Sequence, residues 1–384
     1  MIKRKTGESH KKTFSLLLLV LIFVACSCSK KVQEEEYITI GALLPLTGSS
    51  ADEGLRAFNG LNLAREEINA NGGISGKKLD VIVLNDRGNR EYIVQQYNAL
   101  MERGVTAIIG SSYSGPTLAL AIAAEKDGMP VISPTASDPA VTLGRGNVFR
   151  AIFIDDYQAE AMAHFAHNSL GAQTAVVLIN RNYDSYTHTA EVFTRSFTAR
   201  GGRVRAVESF SSENDFAYIL GKYAANPPDV IFCPEDFIPA ARLVNTVHEI
   251  GLGNTYILGT DAWDGLLAYV HNPQAMERAY YSAPFSYDDN SPDVAQFVRN
   301  YFNAFSLLPL TGSATAYNCV YILAEAIKKA ESTDRDAIVS AMRTNEFDVM
   351  TGRVKFDKNN NPQTNVYIIQ IKDGVYSTRE KIYM

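Results

Sequence analysis

The chain has 384 residues, a formal net charge of −6 at pH 7 and four cysteines. An acidic balance offers no electrostatic case for nucleic-acid binding. Four cysteines do not make a disulfide framework, and the length exceeds what one ordinary core holds, which points to two domains. At the start, Lys3, Arg4, Lys5, Lys11 and Lys12 precede an apolar run from Phe14 to Val24. That run is shorter than the ~20 residues of a membrane span and has the pattern of an export signal covering residues 1–25. Ser27 to Glu36 is polar and charged and reads as a tether, so that 26–36 precede the folded part.

The folded part opens on an apolar run, Ile38 to Leu44, closed by Pro45, Thr47 and Gly48, which reads as a buried strand ending in a turn. Ala57, Leu61, Ala64 and Ile68 then recur at helical spacing, and Asn71-Gly72-Gly73 stops that helix. Val81 to Leu84 completes a strand–helix–strand unit, which requires a parallel sheet. Val94, Tyr97 and Met101 mark a helix, Thr106–Ile109 a strand, Leu118–Lys126 a helix and Met129–Ile132 a strand.

After Arg150 the pattern restarts. Helices are expected over Tyr157–Leu170, Ser185–Arg200, Phe216–Ala225 and Phe237–Gly251. They alternate with strands over Thr174–Ile179, Val204–Phe210, Val230–Cys233 and Tyr256–Leu258, all Val/Ile/Leu-rich as in sheets covered on both faces. Helices near 293–305 and 315–330 come next. Two strands, Gly352–Phe356 and Val366–Ile371, then flank the turn Asn359-Asn360-Asn361-Pro362. The expected architecture is α/β: two Rossmann-like lobes with parallel sheets joined by a multi-strand hinge. Residues 37–153 plus about 284–350 form the first lobe and 154–283 plus about 351–384 the second, with crossings near 154–156, 282–286 and 347–352.

Several blocks carry a family resemblance. GALLPLTG…FNGLNLAREEINANGGISGKKL, IIGSSYSGPTLALA with MPVISPTASDPAVT, TGSATAYNCVYILAEAI and TGRVKFDKNNNP occur in that order. The chain thereby resembles the periplasmic solute-binding proteins of branched-chain amino acid ABC transporters, the Leu/Ile/Val-binding type, over essentially all of its folded part. The resemblance implies a type I periplasmic-binding fold whose lobes close on a small ligand, without covalent chemistry or a cofactor, and whose closed form docks on a membrane permease. A ligand-sensing receptor of the same fold is the alternative. Val24-Ala25-Cys26 resembles a bacterial lipobox, which makes Cys26 the lipid anchor on the periplasmic or extracellular face of a bacterial membrane, with Cys28 as a competing site and plain signal cleavage near Ala25 as the other reading.

Ligands of such folds sit at the carboxyl ends of the strands. The loop Gly110–Pro116 joins a strand to a helix, and the amides of a helix start attract an anion. Tyr113 and Ser114 lie there. Ser114 matches the family serine that meets the ligand carboxylate, and it also suits a helix cap. Thr135, Ala136 and Ser137 form the next strand-end loop and match the family's contacts to the ligand's carboxylate and ammonium. A Ser/Thr turn that satisfies only its own backbone is the plainer reading. From the second lobe, Tyr183 matches a cleft tyrosine. Asp261 falls where the family places an acid for the ligand's α-ammonium, although an Asp after a strand also caps helices. Glu53 stands where the family often has tyrosine, and Glu235 and Asp236 replace a commoner Gly-rich segment. The acid at Glu53 favours a cationic or polar ligand side chain over leucine, and Glu235 or Asp236 either faces the ligand or caps the helix from Phe237.

Other constellations carry less. Cys233 and Cys319 read as buried free thiols. Trp263, the sole tryptophan, reads as core. His164 and His167 lack further ligands nearby for a metal. Asp155-Asp156 and Asp288-Asp289 read as caps and solvated turns rather than as catalytic pairs.

Overall fold

The computed structural model describes residues 36–182 and 184–382. β1 (Tyr37–Leu44) is the apolar run read above, with Ile40, Ala42, Leu43 and Leu44 wholly buried. α1 (Ala51–Ala70) turns Ala57, Leu61, Ala64 and Ile68 inward, the face that the spacing marks. β2 (Lys78–Asn85), α2 (Arg90–Glu102), β3 (Ile108–Gly110), α3 (Ser114–Asp127), β4 (Val131–Ser133) and β5 (Val148–Arg150) follow. The Asn89 side chain caps α2 by accepting from the amides of Glu91 and Tyr92. The strands form a five-stranded parallel sheet in the order β2-β1-β3-β4-β5.

The chain then crosses to a second sheet. α4 (Asp155–His164), β6 (Thr174–Asn180), α5 (Asp184–Ala199), β7 (Arg203–Phe210), α6 (Phe216–Gly221), β8 (Val230–Phe232), α7 (Phe237–Glu249), β9 (Tyr256–Gly259) and β10 (Ala279–Ala283) build it. The long helix expected over Tyr157–Leu170 is α4 followed by one π-helical turn, Phe165–Ser169.

A return to the first lobe follows. α8 (Pro292–Phe305), α9 (Thr311–Ala330) and α10 (Arg335–Thr344) pack on the first sheet, so that Phe297, Val320 and Leu323 share a core with Ile40, Leu44 and Ala57. Each fully buried side chain of that size contributes ~1.5–3 kcal/mol of burial free energy. α9 lies so close to α1 that a Cβ on Gly60 would sit 1.9 Å from the Ser313 carbonyl oxygen. Glycine at 60 therefore sets the approach of the two helices, and it brings the start of α9 to the same edge as the start of α1.

β11 (Glu346–Val349) and β12 (Gly352–Lys355) pair with each other. They stay with the first lobe: Phe356 stacks edge-on against Phe149 at 4.9 Å, and the Asn360 amide donates to the Val148 carbonyl at 3.1 Å. β13 (Val366–Lys372) and β14 (Val375–Ile382) then join the second sheet, whose order is β14-β13-β10-β9-β8-β6-β7. It is parallel from β7 to β10 and antiparallel through β13 and β14.

Gly352–Phe356 and Val366–Ile371 are strands on either side of the turn, as read, and each pairs elsewhere: with β11 for the former, with β10 and β14 for the latter. One expectation needs correction here. The third crossing falls between Pro362 and Val366 rather than near 347–352, and residues 351–362 stay with the first lobe. Phe356 in the first core holds them there. The other crossings lie between Arg150 and Asp155 and between Ala283 and Phe285.

Candidate functional site

In the first lobe, the loops after β3 and β4 are tied together. Ser133 Oγ donates to the Ser111 carbonyl at 2.7 Å, and Thr135 Oγ1 donates to the Ser112 carbonyl at 2.7 Å. Ser114 Oγ accepts from the Asp138 amide at 3.2 Å. Beneath them Arg150, wholly buried, donates to the carbonyls of Ala136 (2.6 Å) and Asp138 (2.8 Å). Burial pulls its guanidinium down to about 10, against the pull of nearby acids. The loops are thus fixed before any guest arrives.

Ser114 is the first residue of α3, and Tyr113 is its N-cap, with no side-chain cap bond. The first amides of a helix have no acceptor within it and face outward with the positive end of the dipole. Thr135 and Ser137 are partly buried while Ala136 is buried. The Thr135 hydroxyl proton is already committed to Ser112, so its lone pairs are what it has left to offer.

From the second lobe comes a set of carboxyl groups. Asp261 begins a short 3₁₀ turn, Asp261–Trp263, after β9. Its amide donates to Gln158 Oε1 at 3.0 Å, and the N-cap of the turn is Thr260. Burial pushes its carboxyl up to about 8, helped by Asp155, Glu53 and Asp264. Asp155, at the start of α4, is 7% exposed and accepts from Gln158 Nε2 at 2.7 Å. Burial raises it to about 6. Asp155 is therefore not a solvated turn residue, because α4 starts under the Ser137 loop. Its neighbour Asp156 does face solvent, bound to His188 at 2.8 Å. Asp288 and Asp289 are turn residues engaged by Ser286, Thr378 and Tyr367.

The Pro234–Asp236 segment divides its two acids. Glu235 is 1% exposed, its oxygens taken by Asn180 Nδ2 (2.6 Å) and the Asp236 amide (2.9 Å). Burial lifts it to about 7. Asp236 occupies the N-cap position of α7 but makes no capping bond, accepting instead from the Tyr186 hydroxyl at 2.8 Å. Its carboxyl is raised by burial.

Glu53 is the first lobe's acid. It lies in the first turn of α1, and its carboxylate packs on α9 so closely that a Cβ on Gly312 would meet Oε1 at 2.3 Å. Burial raises it to about 7, opposed by Arg56 and reinforced by Asp264, Asp52 and Asp236. Tyr113 lies within the field of the same groups: burial, then Glu53 and Asp236, raise its phenol. The structure thus brings together Glu53, Tyr113, Asp236 and Asp261 from both lobes.

Asp264 is a member the sequence did not disclose. It belongs to the second lobe, yet its Oδ2 accepts from the Thr311 amide at the start of α9, in the first lobe, at 2.6 Å. Its Oδ1 accepts from the Tyr281 hydroxyl at 3.0 Å. Gln158, bridging Asp155, the Asp261 amide and Ser282, was equally hidden. The one available signal was that Asp264 follows Asp261 by one helical turn. Trp263 is wholly buried in the second core, as expected, and Cys233 and Cys319 are buried free thiols. Tyr183, Cys26 and Cys28 lie outside the described residues.

No group of three or more His, Cys, Asp or Glu among the described residues is placed to hold a metal, and no described helix is long and apolar enough to cross a membrane. A concavity of about 530 Å³ on α5, lined by Ile179, Ala190, Thr194 and Val207, contains none of the residues above.

Comparison with known proteins places this arrangement. The family model for the periplasmic binding proteins matches residues 37–375. A "Leu/Ile/Val-binding protein homolog 1" from Brucella melitensis is 26% identical over 337 residues, covering 86% of this chain and 89% of its own. A leucine-, isoleucine-, valine-, threonine- and alanine-binding protein from Pseudomonas aeruginosa is 24% identical, covering 84% and 86%. Among solved structures, a leucine-binding protein from Thermotoga maritima superposes with a TM-score of 0.82 at 28% identity, over 90% of this chain and 99% of its own. An isoleucine complex of a branched-chain amino acid transporter substrate-binding protein from Streptococcus pneumoniae gives 0.82 at 26%, over 91% and 99%. The expected two-lobed α/β architecture of the type I periplasmic-binding fold holds, and over its folded part the chain belongs to the periplasmic binding protein family, a family of solute binders rather than of enzymes.

Proposed function

We propose that this protein is the extracytoplasmic solute receptor of an ABC transporter, taking a small amino acid or a related carboxylate or amide between its lobes and passing it unaltered to a membrane permease. The observation that carries this reading is the opposed chemistry across the cleft. The helix start and the hydroxyl of Ser114 offer donors to an anion, while the Thr135 lone pairs and the Asp261 carboxylate offer acceptors to an ammonium. A zwitterion satisfies both at once, and the names of the Brucella and Pseudomonas relatives agree with an amino-acid guest. A guest that touches both lobes favours the closed arrangement by its differential affinity, the state a permease would read. Tyr183 is a further contact from the second lobe on this reading, and Cys26 is the lipid attachment that keeps the protein beside its permease.

A thermal-shift screen across amino acids, amides and small organic acids tests the reading, since a ligand of the native state raises the melting temperature. Recovery of the bound compound unchanged by mass spectrometry is expected, and a converted product contradicts it. For whichever amino acid binds, Ser114→Ala is expected to cost ~1–3 kcal/mol by calorimetry, the size of a lost hydrogen bond to a charged group. Unaltered affinity removes Ser114 from the site.

A further inference from the structure

The cleft holds more carboxyl groups than one α-ammonium can match. Asp261 is assigned to the α-ammonium on the reading above, on which this inference rests. Asp264 is answered by the start of α9, through the Thr311 amide at 2.6 Å. Arg56, the cation nearest Glu53 and Asp264, is held by Asp52 at 2.6 Å on its own helix. Two acids are left over, one from each lobe. The Glu53 carboxylate accepts no hydrogen bond from any described residue, although α9 covers it at Gly312. Asp236 has turned away from the helix it could cap and takes a single neutral donor, Tyr186. Asp236 acts on Glu53 across the cleft, and both act on Tyr113.

We propose that the ligand is an amino acid whose side chain ends in a positive charge, gripped between Glu53 of the first lobe and Asp236 of the second. Both side chains are partly buried, and a guest that displaces the water on them without supplying a donor leaves them under-satisfied at a cost. An ammonium or guanidinium supplies the missing donors, and a guanidinium can face one carboxylate on each side. An aliphatic side chain would instead desolvate both acids as the lobes close, leaving Glu53 without a donor and Asp236 with Tyr186 alone. That is a penalty against leucine, not merely a lack of attraction.

The test compares matched ligands by calorimetry on the purified protein: L-arginine against its neutral isostere L-citrulline, then L-lysine, L-ornithine, L-leucine and the diamine putrescine. Arginine, lysine or ornithine is expected to bind, with arginine preferred over citrulline by ~10-fold or more, the size of one charged hydrogen bond. Glu53→Gln keeps the shape of the protonated carboxyl and is expected to narrow the arginine-to-citrulline ratio by ~10-fold. Leucine binding while the basic amino acids stay silent overturns this inference and leaves the amino-acid reading standing. Putrescine binding as tightly as ornithine supports the cation grip and overturns the role given to the carboxylate loops. Silence toward every amino acid overturns both. An unchanged arginine-to-citrulline ratio in both Glu53→Gln and Asp236→Asn removes the grip from these two residues.

Discussion

The two lobes meet the space between them with opposite chemistry. The first presents loops whose hydroxyls and amides are braced by one another and by Arg150. The second presents carboxyl groups that burial holds back from ionising, Asp261 at about 8 and Asp236 raised as well. Neither set is complete by itself. An anion on the first lobe alone would leave its cationic end in water, and a cation on the second alone would do the same for its carboxylate. The division means that affinity for a zwitterion exists only when both lobes are in place, which couples recognition to closure without any moving part inside either lobe. Glu53 is the exception that proves informative, an acid on the donor-rich side, and it marks where the guest departs from a simple zwitterion.

The largest expected effect comes from removing the second lobe's half of this pairing. Asp261→Asn is expected to weaken amino-acid binding by ~2–5 kcal/mol, the cost of truncating one partner of a buried charge pair. The ligand-free protein should hardly notice the change. With its carboxyl raised to about 8, Asp261 is mostly protonated at neutral pH, and asparagine reproduces that neutral form. Calorimetry for binding and thermal melting for stability separate the two. A loss of folding stability equal to the loss of affinity would show Asp261 to be a structural residue, and the contrast between the lobes would dissolve.

A pH series sharpens the comparison next. Glu53, Glu235 and Asp261 sit at about 7, 7 and 8 in the folded chain, raised from ordinary values of 4.5, 4.5 and 3.8 by burial first. Between the ordinary and the raised values the folded state binds more protons than the unfolded one, so stability falls as pH rises. The contribution is fully present below about pH 4 and is lost as pH passes through 7 to 8. The melting temperature of the ligand-free protein is therefore expected to decline from pH 5 to pH 8. Saturating cationic ligand, which favours the ionised carboxylates, should oppose that decline and release protons on binding. Calorimetry in buffers of different ionisation enthalpy measures the release. A ligand-free melting curve that rises over that range contradicts the burial of these acids.

Much of this was legible in the sequence. Strand–helix alternation is written in apolar periodicity, so β1, α1 and β2 lie where Ile38–Leu44, the Ala57–Ile68 stripe and Val81–Leu84 put them. The candidate loops were legible because they end strands, and strand ends are where an α/β sheet opens. What escaped was pairing across distance. Nothing in Gly352–Phe356 says whether it turns back to the strand before it or onward to Val366, since both alternate alike. Glu346–Val349 won because it is adjacent and its Phe347 shares the core with Val354 and Phe356. β14 is polar along most of its length, as an edge strand tolerates, and left little trace. Asp155 read as a solvated helix start because burial by another lobe's loop is not a local property. Asp264 was invisible for the same reason, its partner lying 47 residues away.

That last contact yields the smallest expected effect and the sharpest limit on the comparison. Asp264 belongs to the acidic lobe, yet its Oδ2 receives the Thr311 amide at the start of α9, a helix of the other lobe. A carboxylate at a helix N-terminus is stabilised by the dipole by ~0.3–1 kcal/mol when partly exposed. Here that stabilisation acts between lobes, so it favours their contact rather than the fold of either. Asp264→Asn keeps one oxygen for the Thr311 amide and turns its Nδ2 to the Tyr281 hydroxyl, which then accepts instead of donating, while the charge is removed. It is expected to loosen ligand binding by only ~0.3–1 kcal/mol, and the same shift should appear for every ligand, because the lost term belongs to closure and not to the guest. Asp261→Asn, by contrast, should spare ligands that lack an α-ammonium. If Asp264→Asn discriminates among ligands, Asp264 contacts the guest directly and the cleft has one acid more than the charge accounting allows. If it changes nothing for any ligand, the Thr311 contact does not contribute to the balance between open and closed lobes, and closure rests on the guest alone.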